Sequence, residues 1–99
     1  MTIYVVHLDV HADIAAQFRA WLDDHIAAMV ALPGFVRAEL FQREEDGGHF
    51  AVKYTVFYYV DSRAALQRYF DEYAAAMRSD GPDRFGGRFE VSRQTLVAL

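Results

Sequence analysis

The stretch HFAVKYTVFYYV, residues 49–60, is apolar at both parities. In an extended chain Phe50, Val52, Tyr54, Val56 and Tyr58 fall on one side, and Ala51, Lys53, Thr55, Phe57 and Tyr59 on the other. Successive side chains of a strand point to opposite faces of its sheet, so a strand of this composition needs cover from both sides. The pattern recurs in residues 3–10, where Ile3 and Val5 oppose Tyr4, Val6 and Leu8, and in residues 35–43, where Val36, Ala38 and Leu40 oppose Phe35 and Phe41.

The remaining segments supply cover for one face. Residues 12–31 carry Ile14, Phe18, Trp21, Leu22, Ile26, Met29 and Val30 at a 3.6-residue period, which predicts a long amphipathic helix ended by Pro33 and Gly34. A tight turn is expected at EEDGG, residues 44–48, joining the second and third strands as a hairpin. Asp61 or Ser62 is placed to cap a second helix with the stripe Leu66, Tyr69, Phe70, Tyr73 and Met77. RSDGPDRFGG, residues 78–87, reads as a broken turn with a short helical piece, and residues 88–97 as strand four. The order βαββαβ with right-handed crossovers predicts one ferredoxin-like α+β domain over residues 1–99, an antiparallel four-stranded sheet with two helices on one face.

Nothing in 99 residues is left to cover the other face. A monomer would then show an apolar patch beyond the few hundred Å² usual for such surfaces, of order 300–600 Å². A second copy is the simplest source of the missing layer, giving a homodimer through the open sheet face; an aromatic patch used for binding is the alternative. With no cysteine there is neither a disulfide nor a Cys-ligated metal to stabilise so small a chain.

A net charge of −4 speaks against nucleic acid and anionic lipid as partners. The sequence MTIYVVHLDVHAD lacks a basic leader, and no uncharged run approaches the roughly 20 residues of a membrane span, so a cytoplasmic protein is expected. IYVVHL, residues 3–8, looks like the first-strand motif of RNA-recognition domains. In the companion position, GHFAVKYT, only Phe50 and Ala51 fit, and no basic track accompanies the rings. His7, Asp9, His11 and Asp13 alternate as metal ligands could, but the helix beginning near residue 12 breaks their period, and no metal site is expected.

Three residues could carry chemistry. His25 stands in the apolar stripe beside Trp21, Leu22 and Met29, as a base kept neutral by desolvation or as a core-edge imidazole with its hydrogen bonds met. Tyr54 is expected under the helices: a register placing Leu40 opposite Val52 puts Ala38 opposite Tyr54, and its hydroxyl would need a partner such as His25 or Arg93. Arg93, alternating with Val91 and Thr95, would pair within the protein or seek an anion. No Ser–His–Asp order, phosphate loop or carboxylate pair accompanies them.

Tyr4, His25-Ile26 with Met29, Leu32-Pro33-Gly34-Phe35, Val52, Tyr54, Tyr69, Met77-Arg78 and Ser92-Arg93 together resemble a small bacterial family known as a domain of unknown function, over nearly the whole chain. More distantly, the long helix followed by Pro-Gly-Phe and a strand is similar to the antibiotic-biosynthesis monooxygenase group of dimeric α/β barrels. That group includes cofactor-free oxygenases, haem-degrading enzymes and isomerases. The resemblance implies sheets packed together in a dimer and a small pocket between each sheet and its own helices. The resulting expectation is a pocket lined by Trp21, His25, Tyr54, Met77 and Arg93 that takes a small aromatic or polyketide-like compound without a cofactor. In it His25 and Tyr54 would be catalytic and Arg93 an anion clamp. A non-catalytic small-molecule-binding or structural dimer would use the same residues.

Overall fold

The computed structural model describes residues 1–45, 50 and 52–99. Its strands are β1 (Thr2–Val10), β2 (Phe35–Gln42), β3 (Val52–Val60) and β4 (Phe89–Val97). The helices are α1 (Ala15–Val30), α2 (Arg63–Glu72) and α3 (Ala74–Phe85), with 3-10 turns at Ala12–Ile14 and Gly86–Arg88. The sheet runs β2-β3-β1-β4 with every neighbouring pair antiparallel. The ferredoxin-like order expected from the sequence is therefore the order found.

Side chains of one parity meet the helices. Tyr4, Leu8 and Val10 of β1 and Tyr54, Val56, Tyr58 and Val60 of β3 are buried against Phe18, Leu22 and Met29 of α1 and Leu66 and Tyr69 of α2. These α1 and α2 residues fall on the two expected stripes. Ser62 is the cap of α2, its hydroxyl accepting from the Ala65 N–H at 3.0 Å.

Several expectations are corrected. The segment 78–87 is helical as far as Phe85, even though Pro82 lies inside α3. Proline inside a helix removes a hydrogen bond and crowds the preceding turn, a local cost of about 3 kcal/mol. Tertiary contact overrides it: Phe85 packs on Phe18 at 5.2 Å between ring centroids. The second correction is register. Leu40 faces Val56, Ala38 faces Tyr58 and Gln42 faces Tyr54, four residues along from the expected pairing. The parity is unchanged, so the faces stand, but the small-against-large pair is Ala38 with Tyr58. The hairpin connection is longer than a five-residue turn: β2 ends at Gln42 and β3 starts at Val52. The expected turn at 44–48 lies partly outside the described residues.

An irregularity between Phe35 and Arg37 sets β2's parity. It lets Phe35 join Ala38 on the helix side, where it is buried, and leaves Val36 exposed. Phe35 is thus on the opposite face from the one a regular strand would give it.

The face away from the helices is divided. At one end, Ile3, Tyr59 and Leu96 lie in one register row and Val5 and Phe57 in the next. Phe41 of β2 packs edge-on against Phe57 at 5.5 Å and remains 46% exposed. At the other end Arg43 reaches Asp9, Glu45 and the Thr55 hydroxyl, and the Thr55 hydroxyl also meets His7 Nδ1 at 2.8 Å.

Gly34 joins α1 to β2 with φ at +82°, a conformation L side chains avoid. A Cβ there would sit 2.6 Å from the Ala65 Cβ. Gly34→Ala is expected to cost about 2 kcal/mol or more, from the left-handed backbone and the collision together. Chemical denaturation should show a lower midpoint with an unchanged slope.

Candidate functional site

Between the helix layer and the β3-β1-β4 side of the sheet lies a partly enclosed cavity. Its interior gives about 70 Å³ to the centres of water molecules. One water takes about 10–15 Å³ on that measure, so the space holds roughly five waters, or one ring with a small substituent. The floor is Tyr4, Val6 and Leu8 of β1 with Tyr58 of β3, and the β4 wall is Phe89, Val91 and Arg93. Trp21, Leu22, His25 and Met29 come from α1, Tyr69 from α2, and Met77, Arg78, Gly81 and Pro82 from α3.

Trp21 organises the mouth. It stacks on His25, one turn along α1, at 4.7 Å and 20°. Its indole Nε1–H donates to Asp80 Oδ2 of α3 at 2.6 Å, and Arg84 Nε donates to the same oxygen at 3.0 Å. The Trp21 hydrogen bond, followed by Arg84, holds the Asp80 carboxyl below the usual carboxylate range. Gly81 makes the approach possible, because a Cβ there would lie 3.1 Å from Phe89 and 3.2 Å from Trp21. Outside this latch an open groove runs between α1 and α3, and Trp21, His25 and Met77 line both spaces. These three side chains separate the cavity from the groove.

The end away from Trp21 is phenolic and basic, its phenols buried and its arginines exposed. Tyr4 packs on Tyr69 at 5.6 Å and on Tyr58 at 6.0 Å, and its hydroxyl accepts from Arg78 Nη2 at 3.0 Å. Burial, reinforced by Tyr4, pushes the Tyr69 phenol up to about 12. Burial pushes Tyr58 higher still. Both phenols stay protonated and able to donate at neutral pH. Burial moves His25 the other way, below its ordinary 6.5, opposed by the Asp80 charge and aided by Arg93.

Of the expected site residues, the structure brings Trp21, His25, Met77 and Arg93 around one cavity and leaves Tyr54 out. Tyr54 is buried on the helix side but faces Leu8 and Gln42. The register correction explains the difference: Tyr58, four residues on and on the same face, holds the place expected of Tyr54. Arg93 has no carboxylate partner among the described residues, so the internal ion pair open to it from sequence is not made. Tyr4, Tyr58, Tyr69, Arg78 and Asp80 are site residues that the sequence does not single out as such. The helical period that gave Tyr69, Tyr73 and Met77 continues to Asp80 and Arg84, and would have found Asp80 had α3 been carried through Pro82.

The alternating acids and imidazoles near the N-terminus are dispersed. His7 bonds to Thr55, Asp9 pairs with Arg43, His11 packs on Phe50 at 4.6 Å, and Asp13 pairs with Arg88. Among the described residues no three His, Cys, Asp or Glu side chains are grouped as a metal would need.

The whole chain, residues 1–99, matches the family described as Domain of unknown function (DUF4286). The chain belongs to that family. No curated protein matches it in sequence. Solved structures match it in fold. A Deinococcus radiodurans protein ascribed to the antibiotic biosynthesis monooxygenases is 15% identical, with TM-score 0.75 over 99% of this chain and 92% of that one. SnoaB, a cofactor-independent oxygenase from Streptomyces nogalater, is 21% identical, with TM-score 0.68 over 99% and 92%. The heme-degrader MhuD from Mycobacterium tuberculosis, solved with two hemes in its active site, is 18% identical, with TM-score 0.71 over 100% and 96%. The DUF4286 chain thus has the antibiotic biosynthesis monooxygenase fold. The partly enclosed cavity falls well below the 300–1,000 Å³ or so of common ligand pockets. Among the described residues no helix is long and apolar enough to cross a membrane.

The depressed His25 basicity carries a pH signature. The unfolded chain takes up the proton more readily than the folded one. The stability this histidine confers is therefore complete above about pH 6.5 and is lost as the pH falls through its folded value. Between about pH 7 and pH 5 the melting temperature of the wild type should fall more than that of His25→Gln, the other histidines titrating alike in both. Parallel curves would mean that His25 titrates as a solvated imidazole.

Proposed function

We propose that this chain binds a small aromatic or polyketide-like compound in the cavity between sheet and helices and transforms it without a cofactor, in the manner of a monooxygenase or isomerase. One observation carries the reading: a ring-sized, largely apolar space is lined by an imidazole, by buried phenols and by two guanidinium groups. Apolar pockets with a few converging polar groups are the usual form of small-molecule sites. The fold shared with SnoaB and MhuD supports a reading of this class.

Neutral His25 would take a proton from an activated C–H or phenolic O–H of the compound, leaving the electron pair on it as an enolate. Arg93 would stabilise that negative charge. Return of the proton to a second carbon is isomerisation. Capture of the carbanion by dioxygen, the co-substrate, with the imidazolium protonating the peroxide, gives a hydroperoxide; loss of the remaining C–H proton and cleavage of the O–O bond release water and leave a carbonyl, which completes a monooxygenation. Tyr58 and Tyr69 would donate hydrogen bonds and not act as bases. A non-catalytic binding role is favoured by one fact: among the described residues His25 is the only lining group whose ordinary pKa lies near neutrality, so no second group near that range is there to share the proton transfers.

The chain would work as a homodimer through the open sheet face, where Ile3, Phe41, Phe57, Tyr59 and Leu96 offer apolar surface. In solution Phe57→Arg would then shift the protein to monomer.

Native mass spectrometry of the purified protein reads both claims at once. The expected spectrum shows a dimer carrying one small organic molecule per subunit, with His25→Ala reducing occupancy and abolishing turnover of that molecule. A bare monomer, or a His25→Ala protein with unchanged affinity and turnover, would overturn the reading.

A further inference from the structure

Seven of the ten basic side chains are paired with carboxylates: Arg19, Arg37, Arg43, Lys53, Arg68, Arg84 and Arg88. Among the described residues Arg63, Arg78 and Arg93 have no such partner. Arg63 and Arg78 lie 5.6 and 5.8 Å from the centre of the Phe70 ring, and of the two only Arg78 lines the cavity. Arg78 and Arg93 both line the cavity, one from α3 and one from β4. The described residues around that space include no aspartate or glutamate, in a chain whose net charge is −4. In so acidic a protein, two guanidinium groups converging on an acid-free cavity leave an excess of positive charge there.

The neighbouring hydroxyls fit the same purpose. Arg78 donates to the Tyr4 oxygen, which leaves the Tyr4 proton free to be offered onward. Tyr69, protonated at neutral pH, lies beside Tyr4. Guanidinium forks match the two oxygens of a carboxylate, and hydrogen bonds to a charged acceptor are about twice as strong as neutral ones. The opposite wall, formed by Trp21, Leu22 and Met29, is apolar.

We infer that the cavity selects a compact aromatic carboxylate, its ring against Trp21, Leu22 and Met29 and its carboxylate held between Arg78 and Arg93. The inference rests on the cavity being a small-molecule site and adds the charge class of what enters it. The open groove outside the latch has a different character: Asp24 lines it together with Asp80 and Arg84, which neutralise one another, so it offers no unpaired cation. Discrimination therefore belongs to the end that carries Arg78 and Arg93.

Benzoate, benzamide and benzamidine are nearly the same size and carry charges of −1, 0 and +1. The test is titration of the full-length protein with each, followed by the fluorescence of its single tryptophan, Trp21. Benzoate should bind at least about tenfold more tightly than benzamide, the factor expected for one hydrogen bond to a charged group, with benzamidine weakest. Arg78→Gln and Arg93→Gln should each bring the benzoate-to-benzamide ratio towards one while benzamide binding persists. Arg63→Gln, outside the cavity, should leave the ratio unchanged. All three arginines are exposed, so circular dichroism should show each variant folded. Benzamide binding as tightly as benzoate, or a preference that survives both arginine changes, overturns the anion assignment and leaves the cavity as a small-molecule site. No saturable response to any of the three overturns both.

Discussion

Phe18 is wholly buried where α1, α3 and β4 meet, with Trp21, Phe85 and Phe89 at 5.3, 5.2 and 5.1 Å from its ring. This aromatic cluster is the constraint on which the rest of the molecule depends. The rings come from α1, α3 and β4, and such pairs add about 0.5–1.5 kcal/mol each beyond the area they bury. Phe85 anchors the far end of α3, so the helix survives Pro82. Phe89 ties the start of the edge strand β4 to the helices. Trp21, held in the same cluster, turns its indole N–H towards Asp80 and closes the mouth of the cavity.

The cavity follows from where that packing stops. β4 is covered at Phe89 but not further along: Val91 is 37% exposed, and Arg93 on the same face is exposed too. Helices held tightly at the Phe18 end and by the tyrosines at the other leave a gap between, bounded by Leu22, His25 and Met29 above and Val6 and Leu8 below. Charge is distributed unevenly around it. On the open face of the sheet, Arg43 and Lys53 are neutralised by Asp9 and Glu45. On the helix side, the guanidinium groups of Arg78 and Arg93 meet no carboxylate among the described residues.

Strand and helix periods made the architecture legible from the amino acids. Alternation in β1 and β3, the stripe through Phe18, Leu22 and Met29, and the Ser62 cap are local patterns, and each found its place. What local pattern could not give was any property set by distant contact. Pro82 read as a helix breaker because its cost is local while the compensating Phe85 packing is tertiary. The β2–β3 register depended on the length of the connection, and an error of four residues assigned to Tyr54 a role whose position Tyr58 occupies. His25 and Arg93 were legible as site candidates because each is an ionisable group among apolar neighbours, whereas Trp21 and Met77 belong in type to their stripes and became candidates through the family resemblance. Arg78 and Asp80 were hidden in a stretch read as a turn, and Tyr4 and Tyr69 looked like ordinary core.

The central claim is that a ligand sits between helices and sheet, and not on the aromatic patch of the open face. Intermolecular nuclear Overhauser effects on a sample saturated with benzoate locate the ring directly. The account predicts contacts from its protons to the Trp21 indole and to the Leu22 and Met29 methyls. Contacts to Phe41 and Phe57 instead would contradict it.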